Sequence, residues 1–190
     1  EDGMSLVKTM DHTGSPMGAR CLRRWLVMPL TDVSAIEQRH EAVDVLLQEE
    51  EMRRAIKDRL SSMGDLERLA SKASSGRINP REMVQLRHGL LSTHAIAAIA
   101  EGQESLISYL ERLTPCDALL RRLELELEDE APLSVSKGAV IKPGVNEELD
   151  DLRRLKYDAK SALDAICERE TKRTGISSLK IDYNQVFGYY

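Results

Sequence analysis

The chain is poor in aromatic rings. Phenylalanine and tryptophan occur once each, and aromatics make up 4% of the 190 residues. A core filled instead by Leu, Ala, Ile and Met fits helix-on-helix packing better than a β-sandwich. Cysteine is also sparse: Cys21, Cys116 and Cys167 are odd in number and far apart. That spacing makes neither a disulfide framework nor a metal knuckle, and it points to a reducing compartment, the cytoplasm. No run of 18 apolar residues and no secretory signal are present, so no membrane partner is expected. His12, His40, His88 and His94 stand apart, and even His88 and His94 would not share a helix face, so no metal site is expected. The segment Gly138-Ala-Val-Ile-Lys-Pro-Gly144 has glycines but neither the spacing nor the Lys-Ser/Thr pair of a phosphate loop. No cysteine sits beside a histidine, and the serines lack a nucleophile-elbow context. No catalytic or cofactor-binding residue is therefore assigned. A basic excess is missing too. Net charge is −5, with 17 basic and 23 acidic residues in 1–136 and 10 basic and 9 acidic in 137–190. This is not the field of a free-standing nucleic-acid binder.

What the chain has is helix starts and stops. Ser15 can cap a helix, and Pro16 suits its first position because the missing N–H would have no partner there. Met17, Cys21, Trp25 and Met28 follow at helical spacing, with Leu22 and Leu26 widening the stripe, and Pro29 ends the run. This predicts a core helix with a buried Trp25 face, in which Gly18 permits close approach of another element. Asp32 or Ser34 caps the next helix, which runs with further turns to Leu60, before Ser61-Ser62-Met63-Gly64. Asp65 caps a short helix, and Asn79-Pro80-Arg81-Glu82 carries a cap, a first-position proline and a box-closing acid. Leu106–Leu113 makes another helix, and Pro115 marks a boundary. Leu123-Glu-Leu-Glu-Leu-Glu alternates like a strand, but Leu119, Leu120, Leu123 and Leu127 also form a helical stripe, and helix is the reading taken. A loop follows, with a short strand at Ala139–Ile141.

Asn146 opens the longest helix, which reaches about Thr174 before Gly175 and would act as an arm. After it, Ser178–Tyr183 and Val186–Tyr190 alternate as two strands across an Asn184-Gln185 turn. Glu1 and Tyr190 look like cuts in a longer chain. The fold class expected is mainly α: an irregular multi-helix body, a long helical arm and a short C-terminal β-hairpin. Residues 1–145 form the first domain and 146–190 the start of a second. Arg20, Arg23 and Arg24 cluster in the opening helix, where solvated or salt-bridged positions outweigh phosphate contact. Lys180 lies opposite Leu179 and Ile181, as a phosphate contact or an ordinary exposed strand lysine.

These stretches resemble a known family. Asp11-x-Thr13-x-Ser15-x-Met17-Gly18-x-Arg20-x-Leu22-Arg23-Arg24-Trp25-Leu26-x-x-Pro29-Leu30 is similar to the start of the core (lever) domain of MutS, the bacterial DNA mismatch repair family. Ile36-x-x-Arg39-x-x-Ala42-Val43, Asp65-Leu-Glu-Arg-Leu69 and Gly76-Arg-x-Asn-Pro-Arg81 continue the likeness. Gly144 to Arg153 looks like the segment entering the clamp, and Glu170-x-x-Arg-Thr-Gly-Ile176, Leu179-Lys-Ile and Asn184-x-x-Phe-Gly-Tyr-Tyr190 like its first strands. Ser15 stands where Thr is common, Met10 where Leu is, and Val145 where an aromatic is usual.

The resemblance implies a non-catalytic lever and clamp segment that couples an ATPase domain to DNA clamping in the full-length protein. It implies no cofactor here, with ATP and Mg bound elsewhere in that protein. Its implied partners are mismatched duplex DNA, MutL and a second copy in a homodimer. The implied backbone contacts are Lys180, Asn184 and Tyr189. The sole phenylalanine, Phe187, is followed by Gly-Tyr rather than x-Glu, so the family's mismatch-reading motif is not expected here. The competing reading is a helical scaffold or adaptor unrelated to repair.

Overall fold

A computed structural model describes residues 3–114, 116–184, 186, 188 and 189. It is mainly helical. The helices are α1 (Leu6–Met10), α2 (Pro16–Val27), α3 (Val33–Gln48), α4 (Glu50–Ser62), α5 (Leu66–Ser74), α6 (Pro80–Ile99), α7 (Ile107–Leu110), α8 (Asp117–Glu126) and α9 (Glu147–Thr174). The chain divides into two compact units, one ending at Lys142 and one starting at Pro143.

Local chemistry sets most helix starts. The Ser15 hydroxyl accepts from the Gly18 N–H at 3.1 Å, and Pro16 takes the first turn. Asp32, not Ser34, caps α3 by accepting from the Ser34 N–H. Asp65 caps α5 through the Arg68 N–H. At α6 the box closes both ways: Asn79 accepts from the Glu82 N–H at 2.9 Å, and Glu82 accepts from the Asn79 N–H at 3.2 Å. Two orphan donors are thus satisfied where the body's longest helix begins. Glu82 also accepts from Lys72 at 2.5 Å, and these contacts, Lys72 first, hold its carboxyl below the usual range. One interruption has no helix-breaking letter: α3 stops at Gln48 and α4 starts at Glu50, with Glu49 serving both ends.

In the first unit α6 packs on α4, α5 and α8. One core cluster joins Val84 of α6 to Leu123, Leu127 and Ala131, with Met83, Leu90 and Val140 against it. A second gathers Ala42, Ala100 and Leu106, with Leu46, Met52, Ile56, Tyr109 and Leu110 around it. Leu69 of α5 is the most enclosed large side chain among the described residues, at 1% exposure. The ambiguous 123–128 run proves to be both things in turn. It is helical to Glu126, then Leu127 bridges antiparallel to Ile141, with Glu128 N–H to Val140 O at 2.9 Å and Lys142 N–H to Glu126 O at 2.8 Å.

The expected burial of α2 is overturned. None of its residues is buried, and Trp25 is 41% exposed. Periodicity marks which face is apolar but not whether that face is covered. Gly18 is also corrected: a side chain there would meet Thr13 and Ser15 of its own entry turn at 3.2–3.3 Å. The close approach falls instead at Gly89, where an added Cβ would lie 2.3 Å from Leu66 and 3.0 Å from the Met63 carbonyl.

In the second unit, Asn146 caps α9 through the Leu149 N–H at 2.8 Å. Gly175 ends it in the left-handed conformation, φ 73°, which suits a residue without a Cβ. At about 1.5 Å per residue its 28 residues span about 42 Å. None is buried; Leu155 is 65% exposed. The long hairpin expected over 178–190 is not supported. Residues 178–182 take no strand, and the described pairing is confined to β1 (Tyr183–Asn184) and β2 (Gly188–Tyr189), in register Tyr183 with Tyr189 and Asn184 with Gly188. Alternating letters satisfy one face of a strand, but ladder bonds need a partner of matching length. Pro115, Gln185, Phe187 and Tyr190 lie outside the described residues.

Candidate nucleic-acid interface

Lys180 is placed by its neighbours. The Cys167 thiol of α9 donates to the Leu179 carbonyl at 3.2 Å, which ties the segment after α9 back to the helix. Leu179 and Ile181 are half-buried, while Lys180 between them is exposed. Alternation therefore predicts the side-chain directions even though no strand forms. The cleft there, about 230 Å³, is lined by Leu163, Asp164, Cys167, Lys180, Ile181 and Asp182 among others. Two acids flank the one base, so the cleft is no general anion trap, and Lys180 is its exposed cation. Asn184 and Tyr189 are brought to opposite strands of the short pairing, one register step apart. Their side chains lie outside the described part.

Arg20 does something other than wait for phosphate. Its guanidinium forks onto Asp65, with Nη1 to Oδ2 and Nη2 to Oδ1 both at 2.8 Å, and Nε reaches Glu67 at 2.9 Å. The Arg20 bonds hold the Asp65 carboxyl down at about 2 and raise the guanidinium further above its ordinary value. A planar fork matched to a carboxylate pins α2 to the start of α5. The Arg20, Arg23 and Arg24 cluster favours solvated or salt-bridged positions, but no local pattern signals partners 45 and 47 residues away. Arg39 lies over the Trp25 ring, 3.7 Å from its centroid, a cation–π pair that lines an apolar groove of about 490 Å³ together with residues of α3, α4 and α7. Among the described residues no three His, Cys, Asp or Glu side chains stand together as metal ligands, and no helix is long and apolar enough to cross a membrane.

These parts define a mainly helical module whose longest helix carries no buried residue and is followed by a segment presenting one exposed lysine. The MutS domain III family model matches residues 1–181, and the chain belongs to that family. It is similar to the DNA mismatch repair protein MutS of Cytophaga hutchinsonii, at 43% identity over 191 residues, and of Parabacteroides distasonis, at 45% over 192. The MutS of Bacteroides thetaiotaomicron is 44% identical over 192. Each alignment covers all of this chain and 22% of the relative, so the chain spans about a fifth of the length of those proteins.

Proposed function

We propose that this chain is the lever and clamp-entry segment of a DNA mismatch repair protein, passing conformational change between an ATPase domain and a DNA clamp. What supports the reading is the family match joined to a 28-residue helix without a buried residue. A helix that long and continuous carries displacement as a rigid element, because every backbone bond along it must be kept. Residues 1–145 serve as the lever part and 146–190 as the entry to the clamp. The segment itself is non-catalytic. ATP and Mg bind elsewhere in the full-length protein, which acts in the cytoplasm as a homodimer on mismatched duplex DNA, with MutL as partner. Lys180, Asn184 and Tyr189 contact the DNA backbone without reading bases.

The test is salt-dependent binding of duplex DNA by the full-length protein. With Lys180→Ala, affinity falls about equally for matched and mismatched duplexes, and the slope against log salt shrinks by about 1. An unchanged slope and affinity would remove Lys180 from the interface.

A further inference from the structure

Arg87 of α6 is the only charged side chain among the described residues that is buried, at 5% exposure. A buried guanidinium is costly unless its donors are met. Its Nη2 lies 2.8 Å from Asp129 Oδ1, and its Nη1 donates to the Leu127 carbonyl at 3.4 Å. Both acceptors sit on the segment that leaves α8. Leu127 is also the residue that bridges to Ile141. Lys142 holds the other side of the bridge: its ammonium donates to the Glu124 carbonyl at 2.7 Å and stands 3.8 Å from Asp129. Immediately after Lys142 come Pro143 and Gly144. The Gly144 N–H donates to Asp150 Oδ2 in the first turn of α9 at 2.6 Å. Hydrogen bonds therefore lead from the middle of α6 to Lys142, where the first unit ends, and the backbone continues from there into α9.

Stability alone does not ask for arginine at this position. A methionine of similar length would fill the site without a charge to desolvate. Arginine adds two donors in a fixed plane, aimed at two acceptors on one segment. We propose that Arg87 is a positioning residue: it locks the bridge through which the chain leaves the helical body, so that a change in α6 is passed along the backbone into α9. The proposal rests on the transmission reading above.

The experiment uses the full-length protein with Arg87→Met, and Asp129→Asn as a second variant that leaves the buried site's packing intact. Hydrogen exchange is followed at the Glu128 and Lys142 amides, the two donors of the bridge. ATP turnover is measured with and without duplex DNA. Both variants should speed exchange at these amides at least tenfold while α6 amides stay within twofold. DNA should then change turnover less than half as much as in the wild type, with DNA-free turnover kept. Unchanged exchange in both variants would overturn the lock. Faster exchange with the DNA response intact would overturn the passage of the change. A wild-type protein whose turnover ignores DNA would sink the transmission reading instead, while the exchange result still decides the lock.

Discussion

Arg20 and Asp65 form a fork that closes 45 residues of chain, and its worth depends on the charge of the carboxylate. Asp65 titrates at about 2 in the folded chain against an ordinary 3.8. A depressed carboxyl contributes stability above its unfolded value and loses it as pH falls through the folded one. Asp65→Asn should therefore be less stable than wild type at pH 7, with the gap closing between about pH 4 and pH 2. Urea midpoints at pH 7, 4 and 2.5 measure this; a gap that stays constant would contradict it. Because Arg20 is partly exposed, salt should also narrow the gap. Trp25 raises a different question of magnitude. A fully buried tryptophan cut to alanine costs about 3–5 kcal/mol. At 41% exposure with one cation on its face, Trp25→Ala should cost about 1–2 kcal/mol in denaturant unfolding. A loss above about 3 kcal/mol would show the ring covered in solution.

Helix starts were legible because each is a conversation among four or five neighbouring residues. Ser15-Pro16, Asp65, Asn79–Glu82 and Asn146 all cap helices as their letters indicate. The Glu49 break was not legible, since no glycine or proline marks it. The bridge at Leu127 was legible only from its partner's side: a short strand is expected at Ala139–Ile141, of which Ile141 alone pairs, while nothing marks the switch from helix period to strand pairing within the 123–128 run. Legibility ends at pairing between elements: Arg20 with Asp65, Arg39 with Trp25 and Arg87 with Asp129 each join separate elements. Gly89 belongs to the same group. Mid-helix it reads only as a weak former, yet it lets α6 approach Leu66 and the Met63 carbonyl. Gly89→Ala gains helix propensity of about 1 kcal/mol but forces those atoms apart, for a net loss of about 1–2 kcal/mol. Thermal or urea unfolding that finds the variant more stable would mean that α5 gives way freely.

At the scale of the whole chain, two core clusters lie in the unit ending at Lys142, and the second unit is built on α9. Composition indicated helices and the absence of a strong basic field, but it could not say which apolar faces are covered. The family match adds what periodicity could not: the chain corresponds to one segment of relatives about five times its length. The central claim is that this segment moves as a transmitting element. It is tested most directly by the distance between spin labels at the exposed Tyr157→Cys of α9 in the two copies of the full-length homodimer, with its native cysteines replaced. Adding nucleotide and then duplex DNA should shift the distance distribution by several ångströms, on the order of hinge motions between domains. A distribution that stays fixed in every ligand state would contradict the account.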